Sequence, residues 1–571
     1  MRVPLLGGTY LARSNIANYQ RCVNLYPEKN PQDAEAPVTH YPTPGLKLQK
    51  IPLSAGAGRC LYTATNGKLY YVCGQTVYYI DSNFNITALG TLTTVASTPV
   101  SMIDNGNAIV IVDGSTLGYA IDLASNAFAQ IIDPNFLGAD RVDYVDTFLV
   151  LNQPGTRNFY SSLSNVTYDS LTLNPGRPLA GNITAGSGYT PGTYTAVALT
   201  GGTGVGATAT IVVAGGGTVT SVTLDPNGIG YVAGDVLSAP SLPAGTAFAY
   251  TLTSVAAAAF DPTYVAAKTG FPDEIATLCC VHREIWLFGI VKTTEVWYDA
   301  GGATFPFAIM PGVFIEHGCA AKYSVCKHDL LVFWLSIDQE GQGTVFMGGG
   351  YVARKISTPA IAAQIATYTT ISDAVGMMYK QGDHVFYILT FPSADKTWVY
   401  DLTEGLWHER AWTDPATGQE HRWRGNCMAI AYGLVMCADW QDGNVYQLDL
   451  GTYEDFGGPI VRRRGFPHLT KELKRTTYDC FVADMQCGQG DASAPTTPQI
   501  VQLRWSDNRG QTFGNPVQQS LGAQGEYLVT PQWRALGMAR DRVFELYWSA
   551  NAFTALQGAY VDVTPTVDPG T

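Results

Sequence analysis

A unit of strand, tight turn and strand returns along this chain about every 40 residues. Residues 59–80 show it first. They read Arg-Cys-Leu-Tyr-Thr-Ala-Thr, a turn at Asn66-Gly67, Lys-Leu-Tyr-Tyr-Val-Cys, a turn at Gly74-Gln75, then Thr-Val-Tyr-Tyr-Ile. Asn-Gly between apolar runs is a strong hairpin signal, because both residues tolerate positive φ. The triplet returns at 100–122, 275–298, 329–357, 373–409 and 426–449. That makes six units, or seven if 142–172 forms its own. A sheet of this size cannot bury both faces alone, so several must stack around an axis. The expected fold is therefore all-β, a β-propeller of six or seven blades. A helical pattern appears at 359–370, where one short helix is expected.

Two stretches break the rhythm. Residues 181–257 are almost wholly Gly, Thr, Ala, Val and Ser, with Asp225 and Asp235 the only charges. Within them G-x-G-Y-x-x-G occurs twice, at Gly186 to Gly192 and at Gly228 to Gly234. This composition predicts an inserted Gly/Thr-rich β module, placed between one blade and the next. Beyond residue 455 a basic, loop-like segment at 457–475 precedes strands expected at 476–486, 499–506, 526–533, 541–549 and 557–563. The division that follows has four parts. Residues 1–180 hold an N-terminal arm and the first blades, 181–257 the module, 258–455 the remaining blades and 456–571 a C-terminal β domain. The tail from Thr564 is expected to fray.

Composition narrows the function. Charged residues are 14% of the chain, well below the usual quarter, so Gly-rich turns, Thr and Ser faces and buried subunit contacts must stand in for them. A net charge of −13 repels nucleic acid and anionic membranes, which excludes a protein that coats DNA. It leaves room for a passage through which DNA slides. Eleven scattered cysteines without C-x-x-C, and no apolar leader after Met1, predict free thiols in a reducing compartment. No apolar run reaches the length of a membrane span, so no membrane insertion is expected.

The candidate chemistry is sparse. The glycine pairs echo a phosphate loop, but that chemistry needs a helix after the glycines, and β-branched residues follow both copies. His317-Gly-Cys319 and Cys326-Lys-His328 could meet across a hairpin around zinc, yet buried cysteines acting as small hydrophobes are the better reading. Asp338, Glu340, Asp383, Glu404, Asp439 and Asp442 stand at blade turns, where turn geometry alone accounts for an Asp before Gly. Ser506-Asp-Asn508-Arg-Gly510-Gln-Thr512-Phe513 approximates an Asp-box, a hairpin turn and not a catalyst. No catalytic set, cofactor or metal site is expected, and the chain does not read as an enzyme. One surface could meet phosphate or an acidic partner. Arg462, Arg463, Arg464, Lys471, Lys474 and Arg475 gather six basic residues around the single acid Glu472. They are the candidates for DNA-channel or subunit-interface contacts, with a solvated loop as the alternative.

Several phrases resemble one family. Asn24-Leu-Tyr-Pro-Glu-Lys29, Tyr41-Pro-Thr-Pro-Gly45-Leu46, Val399-Tyr-Asp-Leu-Thr-Glu-Gly-Leu-Trp407-His-Glu, and Arg504-Trp-Ser-Asp with Leu536-Gly-Met-Ala-Arg540-Asp-Arg542-Val-Phe544 follow in that order. They are similar to the tail nozzle proteins of short-tailed bacteriophages, also called tail accessory or packaged-DNA-stabilisation proteins. The resemblance implies a structural protein of the virion tail, made in the host bacterial cytoplasm and assembled as a hexameric ring. It implies four sets of partners: other copies of the chain, a head-to-tail adaptor ring, tail fibres or tailspikes with a needle or plug, and double-stranded DNA in transient contact with the channel. A receptor-binding or glycan-cleaving tail protein with a propeller fold is the alternative.

Overall fold

The computed structural model describes residues 2–565, apart from 4, 6, 53, 96, 303, 339, 340, 492 and 493. Glu340, Met1 and the tail from 566 lie outside the described residues. Among the described residues seven antiparallel four-stranded blades follow one another, six as separate sheets and the sixth in chain order continuing into a sheet of the last domain, so 142–172 does contribute strands to a blade of its own. Their innermost strands are Gly58–Thr63, Ser101–Asp104, Val142–Val145, Ile275–Val281, Cys326–His328, Val375–Gln381 and Gly425–Ala431. Each lies against the next, and the seventh returns to the first.

The pattern within a blade explains the stacking. Ala108–Val112 is buried along its whole length. Successive side chains point to opposite faces. Ile109 and Ile111 pack toward the first blade, while Ala108, Val110 and Val112 pack toward the third. Such a strand must be apolar at every position, and burying each Val or Ile contributes roughly 1.5–3 kcal/mol. Seven apolar clusters, one between each pair of adjacent blades, form the propeller core.

Closure of the ring comes from the N-terminal arm. Gly45–Lys50 is the fourth strand of the seventh blade, antiparallel to Val445–Asp449. The short helix forms at Pro359–Ile365, capped by Thr358, whose hydroxyl accepts from the Ile361 amide. A second short helix, Tyr168–Thr172, carries a capping box between Thr167 and Ser170.

The module does not lie between two blades. Asn158–Ser162 pairs with Phe260–Ala267, so the third blade is completed only after the module ends. The insertion splits the third and fourth strands of one blade. Pro178 faces Val255 at its neck, which lets the chain leave and return at one point. The module has two three-stranded sheets and its own core, including Ile211, Leu237, Phe248 and both repeat tyrosines, Tyr189 and Tyr231.

The last domain is a β-sandwich built from both ends of the chain. One sheet orders Leu25–Lys29, Val38–Pro42, Leu556–Pro565, Thr476–Met485 and Gln532–Arg534, with Arg2–Val3 against Leu556–Pro565. The other runs Cys22–Val23, Arg462–Gly465, Asp541–Trp548, Gln499–Ser506 and Val517–Gly522. Val3, Leu5, Cys22 and Leu25 join Phe481, Phe544, Trp533 and Trp548 in its core, so 456–571 alone is not the complete domain. Two local expectations change. The region read as a strand at 526–533 is mostly loop, with strands at Val517–Gly522 and Gln532–Arg534 instead. Thr564, placed in a fraying tail, is held in the sheet opposite Thr477.

Candidate functional site

The basic segment is not one surface. Arg462–Gly465 is a strand paired with Cys22–Val23 on one side and Asp541–Trp548 on the other. Alternation sends Arg462 and Arg464 to the same face, and both are fully buried. Arg462 donates to the Ala550 carbonyl at 2.8 Å and lies over the Tyr453 ring. Arg464 donates to the Gly7 carbonyl at 3.0 Å, to Gln20 Oε1 at 3.1 Å and to the Arg21 carbonyl at 3.3 Å. Burial pushes Arg462 down to about 10 and also lowers Arg464. Buried in this way, neither arginine is placed to meet DNA or another copy; Arg464 fastens the N-terminal arm inside the sandwich, and Arg462 ties its strand to the Ala550 carbonyl. Lys471, Lys474 and Arg475 are exposed, and Lys474 pairs with Glu472 at 2.8 Å.

Arg463 points the other way, into a network at the junction of propeller and sandwich. It pairs with Glu420 at 3.3 Å and lies over the Tyr547 ring. Arg21 of the arm donates to Glu409 of the sixth blade at 2.7 Å and also pairs with Glu420. Burial works against the Glu420 carboxylate, but Arg21 and Arg463 overcome it and hold its pKa below the ordinary value. Beside this network Val23 pairs with Glu409, joining the outer strand of the sixth blade to the sandwich sheet.

The propeller axis holds a cavity of about 340 Å3. Arg59, Arg141, Asp143, Tyr323 and Lys327 line it among apolar groups such as Leu61, Met102 and Met377. Lys327 binds Asp143 at 2.9 Å and donates to the Cys280 carbonyl at 2.8 Å. The short turn Lys322–Ser324 contributes Tyr323 to its lining, and Lys322 reaches Asp140 of the third blade at 2.6 Å. The sequence reading passes over these charges. The signal for them is a charged residue at or just before an inner strand, as at Arg59 and Arg141, in units otherwise apolar.

The remaining candidates resolve into structural roles. In the repeated motif Gly186, Gly188, Gly228, Gly230 and Gly234 all have positive φ. Tyr189 accepts from the Phe248 amide at 3.1 Å and Tyr231 from the Ala207 amide at 3.4 Å. The two motifs are turns that each clamp a tyrosine. His317 stacks on Phe346, Cys319 donates to the Ala321 carbonyl and Cys326 faces the axial cavity. Among the described residues no group of His, Cys, Asp and Glu converges as a metal site, and all eleven cysteines are unpaired. Asp383 sits in a hairpin turn at positive φ, Glu404 pairs with Lys29, and Asp439 and Asp442 share Arg424. In the Asp-box Ser506 Oγ accepts from the Gly510 amide at 2.9 Å, and Asn508 Oδ1 from the Thr512 amide at 2.9 Å, closing the hairpin turn. No helix among the described residues is long and apolar enough to cross a membrane.

Comparison with known proteins covers nearly all of the chain. A family model described as bacteriophage P22 Gp10, β-propeller, matches residues 1–172 and 245–453. A second, described as bacteriophage P22 Gp10, β-sandwich, matches 462–564. The gap in the first match falls on most of the inserted module. Of the solved structures, the computationally designed Ika8 protein is 10% identical at a TM-score of 0.31, covering 71% of this chain and all (100%) of its own. A chain of the mitotic checkpoint complex is 8% identical at a TM-score of 0.35, covering 74% and 95%. At those scores neither carries an argument. No curated protein matches.

Proposed function

The chain belongs to the bacteriophage P22 Gp10 family and is a phage tail structural protein, and on that premise we propose that it forms the tail nozzle of a short-tailed phage. Copies assemble as a ring, a hexamer, below the head-to-tail adaptor, retain the packaged DNA and conduct it outward when the genome is ejected. The observation that carries this reading is the span of the family match, which takes in both propeller and sandwich.

Two physical features support it. The axial cavity of about 340 Å3 is far too small for duplex DNA, whose major groove alone is about 12 Å wide. A duplex path must therefore run between copies, along the axis of a ring. The net charge of −13 suits a wall that should not grip phosphates, and the exposed Lys471, Lys474 and Arg475 offer local contacts to a partner or to passing DNA. Fibres or tailspikes and a needle or plug would dock on the outer parts of the ring. Mixing the purified chain with adaptor rings and weighing the product tests the proposal. A discrete complex carrying several copies per adaptor is expected, and a chain that stays monomeric beside adaptor contradicts it.

A further inference from the structure

The basic loop and the arm beside it form an exposed edge of the sandwich. In the tight turn Lys471–Lys474, closed by the Lys474 amide on the Lys471 carbonyl at 2.9 Å, Glu472 and Leu473 stand in succession at φ of 52° and 56°. That conformation suits glycine or asparagine, and a leucine held there is strained. It gains no burial in return, for the Leu473 side chain is exposed. On either side of the turn Thr470 pairs with Asp541 and Thr477 with Met538. Arg540 Nη1 fixes the turn by donating to the Leu473 carbonyl at 2.9 Å. Met538, two residues before Arg540 and on the same side of the chain, is exposed as well. His468 bonds both Asp541 and the Asn15 carbonyl, which brings the arm here and leaves Ile16 exposed. Three exposed apolar side chains thus share one edge with Lys471, Arg475 and Arg540.

The far end of the strand Thr476–Met485 carries the complementary set. There Val482 stands opposite Tyr560, and Asp484 leaves the strand on the same side as Val482. Tyr560 donates to Glu35 Oε1 at 2.6 Å, and burial, with Glu35 beside it, raises the Asp484 pKa. Asp33 is exposed two residues before Glu35, and Arg2 over the Tyr560 ring offsets part of this charge. At about 3.3 Å per residue the two patches lie roughly 25 Å apart along one strand, so they cannot meet within one chain.

Duplex DNA fits the basic edge poorly, since phosphates give Leu473, Met538 and Ile16 nothing to bury against. A surface that is acidic and partly apolar fits it, and methionine and arginine are enriched in contacts between proteins. We infer that the basic edge of one sandwich docks on the acidic end of the next copy's sandwich. Leu473 buries against Val482 and Tyr560, and Lys471 meets Asp33, Glu35 or Asp484. Contacts between two unlike surfaces repeat from copy to copy and close a ring where the rotation allows. The inference rests on the ring reading above and adds the surfaces that join its copies.

Carbodiimide crosslinking, which joins a lysine to a carboxylate with loss of water and no spacer, tests it on the full-length chain assembled on adaptor rings. Peptide mass spectrometry should find an amide between Lys471 and Asp33, Glu35 or Asp484. Those groups are too far apart within one chain, so the link reports a contact between copies. Leu473→Gly should raise the concentration needed for assembly about tenfold or more, since the burial of a leucine is lost. Its thermal midpoint should stay the same or rise, because glycine takes positive φ without strain. Complexes that form without this amide, or a Leu473→Gly chain that assembles like the unmodified one, overturn the inference and leave the ring standing. Shielding of Lys471 by added duplex DNA overturns it too, and assigns the edge to DNA. A chain that stays monomeric beside adaptor overturns the ring reading and this inference with it.

Discussion

Leu46 stands opposite Leu448, and through that pair the beginning of the chain closes the last blade of the propeller. Both are buried in the core between the sixth and seventh blades. Leu46→Ala should cost about 2–4 kcal/mol, the usual range for a large-to-small change in a core. Leu48→Ala, at a side chain 48% exposed, should stay within about 0.5 kcal/mol. Urea midpoints of the two variants check this.

The buried arginines and the exposed lysines of the basic segment should separate cleanly. Arg464→Met removes one of the two donors to the Gly7 carbonyl, one of the two to the Arg21 carbonyl and the donor to Gln20 Oε1, and should lose at least about 2 kcal/mol. Lys471→Glu should change stability by no more than about 0.5 kcal/mol. If Lys471 meets DNA or a neighbouring copy, its effect will appear in particle yield or genome content instead. Thermal unfolding and packaged-DNA counts distinguish the two outcomes.

The module should be removable. Its neck brings Pro178 opposite Val255, and its core is its own. Joining 177 to 256 through a two-residue turn should leave the propeller and sandwich unfolding as before. Tyr231→Ala should loosen the module alone, because that ring fills its core and caps the Ala207 amide. Protease digestion of each variant reports which part opens.

His40 should make stability depend on pH. Burial holds its pKa down to about 3, and its Nε2 donates to the Gly7 carbonyl at 3.1 Å. In the unfolded chain the ordinary value is near 6.5. Between those values the unfolded state binds the extra proton, so the contribution of His40 is complete above about pH 6.5 and falls as pH drops toward 3. The loss should approach about 1.4 kcal/mol per pH unit. His40→Gln cannot titrate, so the stability gap between it and the unmodified chain should shrink as pH falls from 6.5 to 4. A constant gap would show that His40 does not titrate as described.

The blades are legible because their information is local. Asn66-Gly67 marks a turn, and Ala108–Val112 announces burial on both faces. What the sequence hides is long-range pairing. Nothing near Gly45–Lys50 says that it completes a blade begun at 425, and nothing near Phe260 says that its partner strand ended at Ser162. Three successive arginines look like a solvated loop until the strand register shows two of them facing inward. The axial charges escape notice for a related reason. Arg59 and Arg141 line one cavity only once seven strands close around one axis.

Electron cryomicroscopy of the chain assembled on its adaptor, with DNA present, tests the central claim most directly. The account predicts a ring of copies around an opening wide enough for duplex DNA, with each propeller axis displaced from that opening. A single copy per adaptor, or DNA density running along the axis of one propeller past Arg59 and Arg141, would contradict it.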